Sequence, residues 1–493
     1  MSPRLHPQLL AQLPSEIRRP RYRPEAHGIG IAHLGLGAFH RAHQACYVDE
    51  ALAVAGGDWR IVGISCRSAV VRDQLEPQGG LYTLATRSTS EVNYRVIGSL
   101  ASALVAPENP QAAINAMAQP SVHVISMTIT EKGYCRDSAT GHLDSTHTDV
   151  VHDIAHPAQP RSALGLLSAA LDQRRRNRAL APTLLCCDNL PNNGATLRSV
   201  LLDYTQRVNP DLSEWIERSV ACPSTMVDRI VPATTPEDLA AADSVLGLRD
   251  AALVKTETYT QWVIEDRFGG PRPPLERVGA QLVQDVRPFE IAKLRLLNGS
   301  HSTLAYVGSL AGYTFVHEAS ADADLRALIQ RLMREELAPT LVATPGLNLA
   351  NYQQALLTRF DNSSLQHRLR QIAMDGTQKL PQRLIEPLLE RLRHQQPVDA
   401  IALAIAAWMR YALGRGEDGA TYLIDDPLAA RLATIAADGG SSARALVAGF
   451  LTLSEVFGSE LAAHDDFRQL LMRTLDDVLH RGIRHCVREL LNH

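Results

Sequence analysis

The sequence predicts an α/β protein in two parts, a parallel-sheet domain followed by a mostly α-helical domain. Three observations carry this reading. Short apolar runs alternate with helical segments through the first half, as in a parallel sheet covered on both faces. The run Phe268-Gly269-Gly270-Pro271-Arg272-Pro273-Pro274 then breaks the pattern, because neither a helix interior nor a central strand tolerates it. Beyond Val283 the apolar spacing is almost wholly helical. At roughly 150 residues per domain, 493 residues make two to four domains. The change of character places a boundary near 283, between domains spanning 28–283 and 284–493.

Taken in order, residues 30–34 form a first strand that runs straight into glycine, residues 60–64 a second and residues 94–98 a third. Residues 121–130 make the clearest strand, rich in Val, Ile and Thr, whose branched side chains suit a pleated surface. Residues 183–187 make a later strand, with a helix over 163–176 before it. In the second half, helices are expected over 288–310, 322–337, 380–392, 397–414 and 443–457.

Composition excludes several classes. With 49 basic and 53 acidic residues the net charge is −4, unlike a general nucleic-acid binder. Hydrophobic content of 45% with 21% charged residues supports a real core, which excludes disorder as the main state. No apolar stretch reaches the roughly 18 residues of a spanning helix, so no membrane partner is expected. Residues 1–28 carry five arginines and no apolar core of a leader, so a secretory signal is not expected. The seven cysteines are irregularly spaced and form no C-x-x-C pair. They read as free thiols in a reducing cytoplasm, without a structural zinc.

The first candidate site follows the first strand. Gly35-Leu36-Gly37-Ala38-Phe39-His40-Arg41 leads from strand to helix through G-x-G, the start of a Rossmann-type dinucleotide fingerprint. The first glycine permits the tight turn, and the second lets backbone N–H groups approach a pyrophosphate. His40 stands where a third glycine is usual. Arg41 is placed to add a charge-assisted phosphate contact. After the second strand come Ser65, Cys66, Arg67 and Ser68 instead of the acid that holds the ribose of NAD. An arginine and a serine there can instead accommodate a 2′-phosphate, so the residues leave NAD and NADP both open.

The second candidate site is a polar stripe on an apolar helix, residues 289–301. With Lys293 at zero and ~100° per residue, Glu290 falls near ~60°, His301 near ~80° and Asn298 near ~140°. Polar groups on a buried face are costly unless paired or functional. A lysine of lowered pKa can act as general base on a hydroxyl. Asn and His can donate to the same oxygen as it gains charge. A metal-free alcohol–ketone interconversion needs such a set, together with a nicotinamide to carry the hydride.

These stretches, with Thr130-Glu131-Lys132-Gly133-Tyr134-Cys135, Cys187-Asp188-Asn189-Leu190 and Met226-Val227-Asp228-Arg229-Ile230, resemble the mannitol dehydrogenase family of polyol-specific long-chain dehydrogenases. The resemblance runs over about 28–490, and G-x-G-x-F-H-R is the family's own form of the turn. It implies an NAD(P)-dependent oxidoreductase that needs no zinc, with a weak leaning to a monomer. It implies that Lys293 is the general base, that Asn298 and Asn189 steady the oxyanion and that His301 orients substrate. Glu290 would border a proton path, and Asp228 would accept a substrate hydroxyl. Gly35, Gly37, Ala38, Phe39, His40, Arg41, Arg67, Thr130 and Glu131 would hold the cofactor.

The stretch over 371–383 looks more like the family's fructuronate reductase branch than its polyol branch, which tends to carry arginine where Gln371 stands. A hexuronate presents a carboxylate, which a fork-shaped guanidinium matches with two hydrogen bonds, so Arg383 and Lys379 are the candidate readers. The expected substrate is D-fructuronate, going to D-mannonate. The alternative is a polyol 2-dehydrogenase acting on D-mannitol/D-fructose or D-arabinitol. A non-catalytic dinucleotide sensor would show a damaged Lys–Asn–His set, yet the set is intact. A sugar-phosphate dehydrogenase would need a basic phosphate cluster, and the sequence offers none that can be placed.

Overall fold

The computed structural model describes residues 3–137 and 140–492. The chain divides into two compact units between Arg287 and Pro288. In chain order the strands of the first unit are β1 (Ile29–Leu34), β2 (Arg60–Ser65), β3 (Tyr82–Arg87), β4 (Val92–Ile97), β5 (Leu100–Val105), β6 (Val124–Met127), β7 (Thr183–Cys186), β8 (Thr225–Asp228), β9 (Val254–Glu257), β10 (Gln261–Glu265) and β11 (Gln281–Val283).

The main sheet is parallel and five-stranded, in the order β5-β2-β1-β6-β7. Its central strands are buried along almost their whole length, which is why they read as continuous apolar runs instead of alternating ones. Helices such as Pro110–Ala118 and Ala163–Arg176 pack against each other in the core on one face. Ser162 caps the second of these by accepting from the Gly165 N–H.

Two strand expectations need correction. The strand expected over 94–98 is β4, and it lies outside the parallel sheet. It pairs antiparallel with β3 in a separate sheet of order β4-β3-β9, and β5 takes the edge of the parallel sheet instead. β4 is exposed at Val92 and Asn93 and buried only at Val96 and Ile97, a burial pattern that suits a one-sided antiparallel strand. The strand expected over 121–130 shrinks to β6 because the chain leaves the sheet after Met127. The Asp188 carboxylate takes up the N–H groups of Ile129 and Thr130, which removes them from any ladder. A third sheet, β11-β10-β8, was not legible from spacing.

The second unit is helical. Two of its most deeply buried elements are the helices Asp399–Tyr411 and Ser300–Leu310, which pack on each other, the first also against Asp465–Arg481. The helix expected over 380–392 is three pieces: Gly376–Leu380, a π-helical turn Pro381–Ile385, and Glu386–Arg393. Pro381 and Pro387 lack the N–H that would continue an α-helix. The expected 443–457 helix is two, Ala443–Phe450 and Ser454–Ala462. The helix expected over 322–337 is Ala323–Arg331 followed by a π-helical segment Leu332–Leu337, and further helices include Val316–Ala321, Leu349–Phe360, Leu369–Ala373, Ala429–Gly439 and Ile483–Asn492. All seven cysteines are free thiols, and no helix among the described residues is long and apolar enough to cross a membrane.

Candidate active site

The candidate residues fall into one group in each unit. In the first unit, Gly35 leaves β1 at φ +92°, where an added Cβ would lie 2.0 Å from the Thr128 carbonyl oxygen. Glycine is therefore dictated by both dihedral and space. The turn opens on a cavity of about 530 Å³ whose wall includes Gly35, Gly37, Arg67, Thr130 and Lys132. The residues present thus fit a dinucleotide at the carboxyl ends of β1, β2 and β6, where ligands bind in open α/β sheets.

The polar side chains of the turn do not reach that cavity. His40 is fully buried and its ring stacks on His33 at 3.4 Å. His33 accepts from the Ser126 hydroxyl at Nδ1 (2.8 Å) and donates from Nε2 to Thr128 Oγ1 (2.9 Å). The Thr128 hydroxyl in turn donates to the Gly35 carbonyl at 2.9 Å. Burial holds both imidazoles neutral, lowering His33 to about 3 and His40 well below its usual value. Arg41 corrects the expectation of a phosphate contact. It is buried, donates from Nη1 to the Ala252 carbonyl at 2.6 Å and from Nε to the Gly37 carbonyl at 3.3 Å, and lies over the Tyr82 ring. His40 and Arg41 brace the turn from behind. Ala38 is exposed at the start of the short helix Ala38–Ala42, and Phe39 stacks on His43.

Around the same cavity, Thr130 sits at φ +63°, and Glu131 is exposed at the start of the 3₁₀ turn Glu131–Tyr134. Asp188 holds this loop, accepting from Ile129 N, Thr130 N and the Tyr134 hydroxyl at 2.9, 3.1 and 2.7 Å. Sequence reasoning gave Asp188 no role, although its position next to Asn189 after a strand was a usable signal. Asn189 is exposed on the turn after β7, and Asp228 is buried at the end of β8, opposite Gln261.

In the second unit, Glu290, Lys293, Asn298 and His301 lie on one continuous helix, but it is not uniformly α. Arg287–Ala292 is α-helical, Lys293–Gly299 is a π-helix and Ser300–Leu310 is α-helical again. A π turn closes its hydrogen bond at i→i+5, and such turns concentrate at functional sites. Residues five apart are drawn onto one face, so Lys293 and Asn298 converge more closely than the ideal wheel predicts. Glu290, Lys293 and Asn298 are half-buried and His301 is buried.

The His301 ring packs against Phe360 (4.8 Å) and edge-on to His367 (5.5 Å). Burial, then His367, Arg359 and Arg383, push its pKa well below the usual imidazole range, so it is neutral. His367 was missed from sequence because it lies in a loop far along the chain. Arg383 reaches the same helix, donating from Nη1 to Ser302 Oγ at 3.0 Å and to the Asn298 carbonyl at 3.4 Å. Its approach depends on Gly299, where an added Cβ would stand 3.1 Å from the Arg383 carbonyl oxygen. Burial lowers the Arg383 guanidinium to about 10, with no ion pair to it among the described residues. Lys379 is half-buried and donates to the Ile372 and Met374 carbonyls. Burial and then Arg383 lower its pKa. Among the described residues no group of three or more His, Cys, Asp or Glu is placed to hold a metal ion.

Comparison with known proteins places this arrangement. Residues 29–277 match the mannitol dehydrogenase Rossmann domain, and residues 285–479 match the mannitol dehydrogenase C-terminal domain. The D-mannonate oxidoreductase of Escherichia coli (strain K12) is 42% identical over 465 residues, 93% of this chain and 95% of that protein. A mannitol 2-dehydrogenase of Phaeosphaeria nodorum is 38% identical over 490 residues, 98% of this chain and 84% of that protein. Among solved structures, the ternary complex of Pseudomonas fluorescens mannitol 2-dehydrogenase with NAD and D-mannitol superposes with a TM-score of 0.84 at 36% identity, covering 99% of both chains. The chain belongs to the mannitol dehydrogenase family and is an oxidoreductase acting on CH–OH groups.

Proposed function

We propose that the chain interconverts a hexuronate ketone and its alcohol, D-fructuronate and D-mannonate, with NAD as hydride carrier and Lys293 as general acid and base. When bound, NAD supplies the hydride acceptor for oxidation and the donor for reduction. In oxidation Lys293 Nζ takes the hydroxyl proton, and in reduction it returns it. The Asn298 and Asn189 amides donate N–H to the substrate oxygen as charge develops on it. A neutral His301 offers one donor and one acceptor, enough to fix the orientation of a substrate hydroxyl. Glu290 carries the proton between Lys293 and solvent, and Asp228 accepts from a further hydroxyl. No step requires a metal ion.

The observation that carries the substrate reading is Arg383. Its guanidinium is largely buried beside the Asn298–Ser302 segment, engages it through one nitrogen and has no carboxylate partner among the described residues. A buried cation without a partner is unfavourable, and a substrate carboxylate relieves that cost through a bidentate contact, with Lys379 adding charge nearby. Its similarity to the D-mannonate oxidoreductase supports the same reading.

Steady-state rates on fructuronate, fructose and tagaturonate with NADH test it. Fructuronate is expected to give the highest kcat/KM. Fructose turned over as well as or better than fructuronate would favour the polyol reading, which similarity to mannitol 2-dehydrogenases supports. EDTA should leave the rate unchanged, whereas inactivation reversed by added zinc would overturn the lysine-based mechanism.

A further inference from the structure

The wall of the 530 Å³ cavity at the end of β2 carries a charge pattern that the hydride chemistry does not need. In dinucleotide-binding α/β domains the residue at this strand end faces the 2′ position of the adenosine ribose. A carboxylate there accepts from the ribose hydroxyls and repels a 2′-phosphate. Here β2 ends at Ser65 and continues through Cys66, Arg67 and Ser68, all of which line the cavity. Asp73 and Glu108 are both paired with Arg72, and neither belongs to the cavity wall.

Three cations line the cavity, Arg67, Lys132 and Arg161, against one carboxylate, Asp149. None of the three makes an ion pair among the described residues, and Arg67 is exposed. Lys132 does not sit on a loose loop. The Asp188 carboxylate grips the N–H groups of Ile129 and Thr130 as well as the Tyr134 hydroxyl, which frames the turn carrying Lys132. Ser65 and Ser68 add hydroxyl donors to the same wall. Hydroxyls beside a fork-shaped guanidinium, with further cations across the cavity, match the oxygens of a phosphate dianion.

We propose that the end of β2 is a 2′-phosphate site, so that the chain binds NADP(H) at least as tightly as NAD(H), with Arg67 as the residue that reads the phosphate. The proposal deepens the dinucleotide-binding reading and rests on it. It separates two functions within one cavity: the glycine turn serves the part common to both cofactors, and the segment after β2 sets the choice between them.

Direct binding to the full-length protein tests it without turnover. NADH and NADPH are titrated by nucleotide fluorescence, and 5′-AMP and 2′,5′-ADP by calorimetry. The expected result is a Kd for NADPH equal to or below that for NADH, and 2′,5′-ADP tighter than 5′-AMP by about tenfold or more, as one or two charge-assisted hydrogen bonds imply. Arg67→Ala should weaken NADPH and 2′,5′-ADP by about tenfold more than NADH and 5′-AMP, and Arg67→Lys should recover part of that loss. Tighter binding of NADH than NADPH, or an equal effect of Arg67→Ala on both nucleotides, would overturn the proposal. If neither dinucleotide binds, the dinucleotide reading itself fails, a distinct outcome.

Discussion

Arg41 and Arg383 are both largely buried arginines with no ion pair among the described residues, and their surroundings use the charge differently. Arg41 spends two of its nitrogens on the backbone carbonyls of Ala252 and Gly37 and lies over Tyr82. Arg383 spends one, on Ser302 and Asn298 beside the polar stripe of Glu290, Lys293, Asn298 and His301. The same contrast separates the two regions as wholes. At the end of β1 and in the turn after it, the side chains of His33, His40 and Arg41 face inward and hold the backbone in shape, so that the turn meets the cavity through Gly35 and Gly37. On the helix starting at Arg287 the backbone is distorted into a π turn, leaving the face of the helix to the side chains. On the proposed function, the first region offers mainly backbone at the glycine turn and the second mainly side chains.

The largest test of that contrast is Lys293→Ala. Loss of the general base should lower alcohol oxidation by on the order of 10²–10⁴-fold while dinucleotide affinity stays near normal. Single-turnover rates and a cofactor titration measure the two separately, and near-wild-type oxidation would remove lysine from the chemistry. Next is Arg383→Leu, which should cost roughly 2–4 kcal/mol in kcat/KM for fructuronate and little for fructose. Equal losses on both sugars would make Arg383 a packing residue like Arg41.

Arg41→Leu should behave in the opposite way. It leaves two backbone carbonyls without their donor, and a loss of about 1–3 kcal/mol in unfolding free energy is expected. Chemical denaturation reads this directly. A variant of full stability that had lost dinucleotide affinity would return Arg41 to the phosphate.

The smallest expected effect concerns a buried charge that is not among the candidate site residues. Glu336 accepts from the N–H groups of Ala400 and Ile401 at 2.7 and 2.9 Å, in the first turn of the buried helix Asp399–Tyr411. Burial raises its pKa from 4.5 to about 7. A carboxyl raised in the folded state contributes stability that is full below about 4.5 and is lost as pH rises through about 7. Glu336→Gln should therefore flatten the fall in melting temperature across that window. An unchanged slope would mean that Glu336 does not titrate there.

The candidate polar stripe was legible in the sequence because it violates a burial rule. Glu290, Lys293, Asn298 and His301 stand out on an apolar helix, since polar groups there need a partner or a task. Gly35 was legible as a turn because a strand runs straight into G-x-G, a weak signal for a ligand on its own, and its φ of +92° is a local requirement. What the sequence could not carry depended on distant partners. Whether Arg41 points to a phosphate or to Ala252 is decided by where the chain returns some two hundred residues later. The parallel sheet takes β5 and excludes β4 because β4 finds β3 as an antiparallel neighbour.

The sequence by itself determined the fold class, the site of the glycine turn and the identity of the polar stripe, since these follow from backbone dihedrals and from burial along one element. Only the tertiary structure decided the π turn that aligns Lys293 with Asn298, the ring of His367 beside His301 and the inward turn of His40 and Arg41. Two of the π segments, Lys293–Gly299 and Pro381–Ile385, pack on each other with Gly299 against the Arg383 carbonyl. An i→i+5 turn has no residue propensity strong enough to announce it. It forms where close packing of two distant segments makes the widened turn the better fit.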